Sequence, residues 1–532
     1  MSVSQLLKGK IVTMSAGNSV LDGGYIHIED NLIKGVFASG QLPDNLKSLK
    51  VTDTKGVIYP GMMDLHNHFV YNVLPLWVVP KKYANRSQWP GHPEYQSGVS
   101  EPIKQVLAKY SESSKAIVRY VEAKALMAGT TTGQGIRTQV KGSFKLFDGA
   151  MRNVEEPGRA DLPEAGTLVP DLFVGGASGA GNVEAFRRAL NRPGLVAYFY
   201  HLSEGVDNVS RQHFLDLKDN DLVTNHLVGI HCLGLQPDDL KHCADKGAKL
   251  VWSPFSNQLL YGKTLDLKAL KESKVLFSIG CDWSPTGSKN LLQELKVAYQ
   301  TNKDQGNVFS NLELVKAVTI SPAQILGWDQ KLGSLEVGKI ADLVVVSKKS
   351  TDVYKNLILA REEDVKLVMV DGVARFGSST IMKALVSDKT NPPETVHVNG
   401  TIKKLYLFSP GSEINDLTFN SALTDLTKIL NDLDAFAKSQ QQKVSLFQAG
   451  ANVRSPRDFQ LVLDNEFAPD SDPVLPRSAE IMRLPLVKPP MQNSITIDSP
   501  FASGADYWQR VGNEKNISSA LIAWLKKCYK VA

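Results

Sequence analysis

Cysteine is scarce in this chain: Cys232, Cys243, Cys281 and Cys528 are all there are in 532 residues, and no Cys-x-x-Cys spacing occurs. That excludes a disulfide framework and a zinc-finger module. Long apolar runs are missing too, none nearing the ~18 residues that span a bilayer. Lys8, Gly9 and Lys10 interrupt the first thirty residues before a secretory leader could form. Charge of one sign is also absent: 60 Lys and Arg stand against 55 Asp and Glu, a net charge of +5. Lys81-Lys82 and Lys348-Lys349 are short solvated pairs, so no nucleic-acid surface is expected. The expectation is a cytoplasmic protein that binds neither membrane nor nucleic acid, with homo-oligomer formation left open. Its length exceeds one barrel of about 250 residues, so more than one domain is expected.

Histidine, although only ten residues, is placed with a pattern. The run Tyr59-Pro60-Gly61-Met62-Met63-Asp64-Leu65-His66-Asn67-His68 is apolar and ends in His-x-His. On a strand, residues two apart face the same side. His66 and His68 can therefore aim two imidazoles at one divalent metal. Three further β-prone runs end similarly. Leu195 to Phe199 leads to His201 and Glu204, Leu227 to Ile230 leads to His231, and Val275 to Ile279 leads to Asp282. Each of these polar residues stands where an apolar strand gives way to a polar loop. Cys232 and Cys281 neighbour them, and both read as small apolar strand residues.

In this order and spacing the chain resembles the amidohydrolase superfamily, in the single-metal branch that includes adenosine, cytosine and guanine deaminases, imidazolonepropionase and triazine hydrolases. Similar proteins carry His-x-His, His-x-x-Glu, His and Asp on strands one, five, six and eight. Here those positions are His66 and His68, His201 with Glu204, His231, and Asp282. Trp252-Ser253-Pro254-Phe255-Ser256-Asn257-Gln258-Leu259 resembles the strand-seven signature. Ser321-Pro322-Ala323 and the passage Gly338 to Val346 resemble the segment where the chain leaves the barrel. The resemblance covers roughly residues 1 to 380.

It implies an α/β fold: a (β/α)8 TIM barrel, a small β-sandwich domain built from both flanks of the barrel, and an extra C-terminal region. The sandwich is expected from 1–57 and 328–380, the catalytic barrel from 58–327, and an extension of unknown role from 381–532. Residues 1 to 57 alternate β-prone runs with turns, with Gly23-Gly24 at a hairpin-like break. Asp371-Gly372 reads as a hairpin turn between two later strands. Apolar spacing predicts a helix over 103–127 that ends at Gly129, with Thr130 opening strand two. Ala150 to Val154 and Leu172 to Val174 are the expected strands three and four. Helices are expected over 291–299 and 312–318, and a 3.6-residue apolar stripe predicts another over 421–436.

The implied ligands are His66, His68, His201 and Asp282, around one Zn²⁺ or Fe²⁺. Three neutral imidazoles and one carboxylate leave a charge of +1 with the ion, which lowers the pKa of a bound water to around 7. A two-metal relative would need a bridging lysine from strand four, and none lies in or just after Leu172 to Val174. Glu204 is expected to shuttle the water's proton to a leaving nitrogen, with a raised pKa. His231 is expected to stabilise the developing oxyanion or orient the water, and Asp282 to hold the hydroxide as well as the metal.

The segment after His68 is rich in aromatics, and Tyr71, Trp77, Tyr83, Trp89 and Tyr95 could wall a pocket for a planar ring. Trp283, Thr286, Arg152 and Trp77 are the expected substrate contacts, with Arg137 placed to meet an anionic group. The expected reaction is attack of metal-bound hydroxide on a C–N bond of a small nitrogen heterocycle, with deamination favoured over ring opening of a cyclic amide. A catalytically inactive metal-binding barrel is disfavoured because all six positions are present, and two-metal hydrolysis because the lysine is absent.

Overall fold

The computed structural model describes residues 4–140, 143–147, 149–168, 180–448, 459–463 and 490–531. Both ends of the first 405 residues meet in one nine-stranded sheet. Ser4–Val12, Val20–Glu29, Leu32–Phe37 and Val51–Pro60 form one half. Leu343–Ser347, Val365–Val370, Val373–Ser378, Thr401–Leu405 and Glu394–Val398 form the other. The halves join where Val51–Pro60 pairs antiparallel with Leu343–Ser347, Tyr59 opposite Val344. Asp371 and Gly372 turn the chain with φ of 54° and 75°, as the hairpin reading requires. A side chain at Gly372 would also strike the Asp30 carbonyl.

Gly23-Gly24 lies elsewhere than expected. Both glycines sit inside Val20–Glu29, Gly24 opposite Gly9 at a bulge, and the reversals fall outside that strand. A Cβ on Gly24 would come within 2.8 Å of the Phe37 carbonyl, so the pair marks close strand approach rather than a turn.

Between these halves the chain alternates parallel strands and helices. Glu164–Leu168, Leu195–Leu202, Leu227–His231, Lys249–Trp252 and Phe277–Ile279 pair in sequence order, every pair parallel. Met62–Asp64, Thr130–Gly133 and Arg152–Asn153 form a second parallel set. Hydrogen bonds link the two sets at both ends: Ala165 N donates to Val154 O at 3.2 Å, and Asp282 N donates to His66 O at 2.8 Å. The inner residues Met63, Leu65, Ala197, Phe199, Val228, Ile230 and Val251 share one buried cluster with Trp328. Strands apolar on both faces are what a parallel sheet covered by helices needs.

Strand four of the sequence reading shifts. The partner of Leu195–Leu202 is Glu164–Leu168, whereas Leu172 to Val174 lie outside the described residues. No lysine occurs between Glu164 and Val174. Strand three is short, Arg152–Asn153. The 103–127 helix divides: a π-helical turn covers Ile103–Leu107, Tyr110 is extended, and the α-helix proper is Ser111–Met127. Gly129 follows with φ 87°, a conformation that favours glycine. Helices cover Leu291–Asp304 and Asn311–Lys316, and the C-terminal stripe forms Phe419–Asn431, followed by Leu433–Gln448.

The C-terminal region packs on the rest of the chain. Phe459–Leu461 adds a strand to Arg137–Val140, and helices Ala505–Gly512 and Ser519–Tyr529 bury Trp508, Leu525 and Tyr529. No helix among the described residues is long and apolar enough to cross a membrane.

Candidate metal centre

The strands deliver their polar residues to one place. His66 and His68 follow Met62–Asp64, His201 lies in Leu195–Leu202, His231 ends Leu227–His231, and Asp282 follows Phe277–Ile279. One ligand atom from each of His66, His68 and His201 lies within 4.8 Å of the other two. The same holds for His66, His231 and Asp282. The Oδ1 of Asp282 is 3.5 Å from Nε2 of both His66 and His68. All five side chains are buried.

Backbone strain collects here. Ser203, His231, Cys232 and Asp282 take φ of 50°, 65°, 53° and 61°. Non-glycine residues rarely adopt this left-handed region, and when they do so together at strand exits, the surroundings over-determine them.

Burial decides the protonation of two of the imidazoles, His66 and His201. It holds the pKa of His66 well below the ordinary value, with His231 and His68 adding repulsion. His201 is depressed in the same way, by burial first and then Arg86 and His66. Neutral imidazole is the form that ligates a metal. Two ring nitrogens, Nε2 of His66 and Nδ1 of His201, are buried with no hydrogen-bond partner among the described residues. Buried polar atoms are almost always satisfied. Two orphaned lone pairs beside a carboxylate therefore fit a divalent cation.

The supporting contacts come from a stretch whose likeness was legible but whose roles were not. Ser253 Oγ lies 2.7 Å from His66 Nδ1, Ser256 Oγ donates to Asp282 Oδ2 at 2.7 Å, and Asn257 Oδ1 lies 2.9 Å from His231 Nδ1. An amide oxygen only accepts, so His231 presents N–H at Nδ1 and turns Nε2 inward. Asp64 was also missed, although its position two residues before His66 on the strand was a signal. Its carboxylate accepts from His66 N, Cys281 N and Asn67 Nδ2 at 3.3, 3.2 and 2.9 Å. Burial pushes its pKa up to about 6.

Glu204 sits with His231, its Oε2 3.8 Å from Nε2, and accepts from Tyr261 Oη at 2.7 Å. Arg86 Nε is 3.5 Å from the same carboxylate. Here the expectation of a raised pKa is corrected. Burial pushes it up, but His231, Arg86 and Tyr261 together outweigh burial and hold the group below its ordinary value. Arg86 and Tyr261 lie far from Glu204 in sequence, and nothing in the local motif announces them.

The aromatic residues assemble beside the histidines. The Trp283 ring packs against His68 at 5.2 Å and Tyr71 at 4.6 Å, and Tyr95 stands 6.2 Å from it. Trp77 continues the row, 5.3 Å from Tyr95. Thr286 Oγ1 accepts from Trp283 Nε1 at 2.5 Å, so it orients that ring. Arg152 does not join them. It starts its strand and donates from Nη2 to both oxygens of Asp342 at 2.9 and 3.0 Å. Asp342 also adjoins Gly61 at the start of the His66 strand, where its carbonyl accepts Gly61 N. The guanidinium is thus engaged in a buried ion pair at the strand-start side, opposite the strand exits that carry the histidines. Arg152 is withdrawn as a substrate contact for that reason.

Comparison with known proteins agrees with this geometry. Residues 197–375 match the model of the amidohydrolase family. A 5-methylthioadenosine/S-adenosylhomocysteine deaminase from Bacillus cereus is 25% identical over 404 residues, covering 68% of this chain and 91% of that protein. An adenosine deaminase from Xanthomonas campestris, solved with bound zinc, superposes with a TM-score of 0.51 at 17% identity over 73% of this chain and 95% of its own. The guanine deaminase from Bradyrhizobium japonicum gives 0.51 at 17% identity over 70% and 99%. With its histidines, glutamate and aspartate at successive strand exits, the chain is similar to the amidohydrolases, and its residues 197–375 match that family.

Proposed function

We propose that this hydrolase acts on a non-peptide C–N bond of a small nitrogen heterocycle and releases ammonia. Its histidine strands are read as a closed (β/α)8 barrel, 58–327, since hydrogen bonds link the two parallel sets at both ends. The sandwich takes 1–57 and 328–380 and, by pairing, the strands as far as Leu405. A cytoplasmic location remains part of the proposal.

His66, His68, His201 and Asp282 would hold one divalent ion, Zn²⁺ or Fe²⁺. Bound there, the ion supplies Lewis acidity and a water whose pKa falls to about 7. Glu204, held as a carboxylate by His231, Arg86 and Tyr261, accepts the proton of the attacking water and passes it to the leaving nitrogen. Asp282, fixed by Ser256, orients that water by a hydrogen bond. His231 directs Nε2 toward the developing oxyanion, where a proton on that nitrogen would donate. Trp283, Trp77 and Thr286 form and brace an aromatic wall that suits a flat ring.

The carrying observation is that one glutamate, 3.8 Å from His231, stands beside a histidine cluster in which two buried nitrogens have no hydrogen-bond partner among the described residues. The test is a panel of aminopurines, aminopyrimidines, aminotriazines and cyclic amides, followed by ammonia release and ring absorbance. Ammonia with the ring retained is expected. Loss of ring absorbance without ammonia would mean ring opening instead, and turnover of acyclic amides alone would refute the heterocycle. Glu204→Gln should keep the metal while lowering turnover by roughly 10²-fold or more.

A further inference from the structure

The relatives above span 68 to 73% of this chain, yet its C-terminal region reaches the wall of the site. Three of its side chains grip main-chain groups of the aromatic loop at intervals of two or three residues. Arg510 Nη1 donates to Leu76 O at 3.2 Å. Glu514 accepts from Val79 N, 3.2 Å at Oε2 and 3.4 Å at Oε1. Asn516 Nδ2 donates to Lys81 O at 3.0 Å and to Leu259 O at 2.8 Å. The last pair ties the loop to the helix Pro254–Tyr261, which carries Ser256, Asn257 and Tyr261.

The gripped stretch bears Trp77 and Tyr83, whose rings stack 6.3 Å apart. Trp77 Nε1 and Tyr83 Oη are buried with no partner among the described residues. Through Tyr95 and Trp283 the same row of rings ends on His68. Trp77 N and Tyr83 N are bonded in turn to Pro285 O and Leu260 O, at 2.8 and 3.0 Å, so the stretch has contacts on the site side as well. Glu514 is a costly acceptor. It is buried, burial pushes its pKa up to about 8, and no ion pair offsets it among the described residues. Helix Ala505–Gly512 is itself fixed by buried Tyr507 and Trp508, whose Nε1 donates to Ala502 O at 2.6 Å. The grip is therefore rigid at its far end.

We propose that Arg510, Glu514 and Asn516 are positioning residues that hold residues 76–83 over the site, so that the C-terminal region sets how tightly a planar ring is taken. The statement about the ring rests on the heterocycle reading; the statement about the loop does not. Glu514 holds the Val79 amide directly, while Arg510 and Asn516 hold carbonyls, so their loss acts by letting the stretch open and expose the amides of Trp77, Val79 and Tyr83. In the full chain, Arg510→Met with Asn516→Ala should speed hydrogen exchange in peptides spanning 76–83 by roughly 10-fold or more. Glu514→Ala should do the same, and Glu514→Gln, which keeps an acceptor oxygen, should restore protection.

With the heterocycle from the panel that is turned over fastest, the double variant should raise KM by roughly 5-fold or more, keep kcat within about 2-fold and retain metal content. Exchange at the wild-type rate, or a fall in kcat at constant KM, would overturn the proposal. Should the double variant not fold, Asn516→Ala alone decides by the same two measurements. If no heterocycle is turned over, the functional reading fails while the exchange result still decides the grip.

Discussion

Replacing Asp498 by Asn tests whether the C-terminal region is bound into the core by charge. Asp498 Oδ2 accepts Lys124 Nζ at 2.6 Å, and Oδ1 accepts Lys289 Nζ; all three side chains are buried. Burial raises the Asp498 pKa, but Lys124 and Lys289 outweigh it and keep the carboxyl below its usual range. Asparagine keeps the shape and removes the charge. Lys124 retains Asn72 O and Ser284 Oγ as acceptors, whereas among the described residues Lys289 retains Ser499 O at 3.3 Å and the Tyr507 ring at 4.5 Å. Lys289 already sits at about 8, pushed down by burial against the pull of Asp498.

Without that carboxylate, Lys289 can relieve its own unpaired charge by losing the proton. Starting from about 8, this costs roughly 1 kcal/mol at pH 7, roughly 3 at pH 6 and almost nothing at pH 8. Those figures cap its share, and Lys124 brings the total toward the roughly 3–5 kcal/mol seen for a broken buried pair. The folded variant then binds fewer protons than its unfolded chain, where the lysine is charged, so its stability rises with pH. Asp498 is ionised in both states of the wild type over this window and adds no slope. Calorimetric melts of both proteins at pH 6, 7 and 8 measure the deficit. It should be largest at pH 6 and shrink by about 1.4 kcal/mol per pH unit. A deficit independent of pH, or equal melting temperatures at pH 6, would refute the reasoning.

Other outcomes follow from single contacts. Ser253→Ala removes the partner of His66 Nδ1, so metal affinity, measured by competition with a chelator, should fall about 10- to 100-fold. Tyr261→Phe deletes a hydrogen bond that lowers the Glu204 pKa, so the acidic limb of the kcat/KM profile should move to higher pH; an unmoved limb would assign that limb to another group. Arg152→Met leaves Asp342 buried without its partner and should cost about 3–5 kcal/mol in stability with KM unchanged in the protein that folds; a specific rise in KM would restore Arg152 to the site.

The centre was legible in the sequence because each of its residues is bound to a strand exit by local rules. Alternation puts His66 and His68 on one side of a strand, and apolar runs locate the ends that carry His201, His231 and Asp282. The turn at Asp371-Gly372 is local in the same way, since it needs only two residues that tolerate positive φ. Strand four escaped because Glu164–Leu168 has a weaker apolar pattern than Leu172 to Val174, and partnership with Leu195–Leu202 outweighs propensity. Arg152 was misread because the sequence shows a charge but not its partner, Asp342, 190 residues away. For the same reason the low pKa of Glu204, the supports from Ser253, Ser256 and Asn257, and the grip of Arg510, Glu514 and Asn516 on the aromatic loop came only from the folded chain. Local chemistry is set by neighbours along the chain, whereas electrostatic balance and hydrogen-bond pairing are set by neighbours in space.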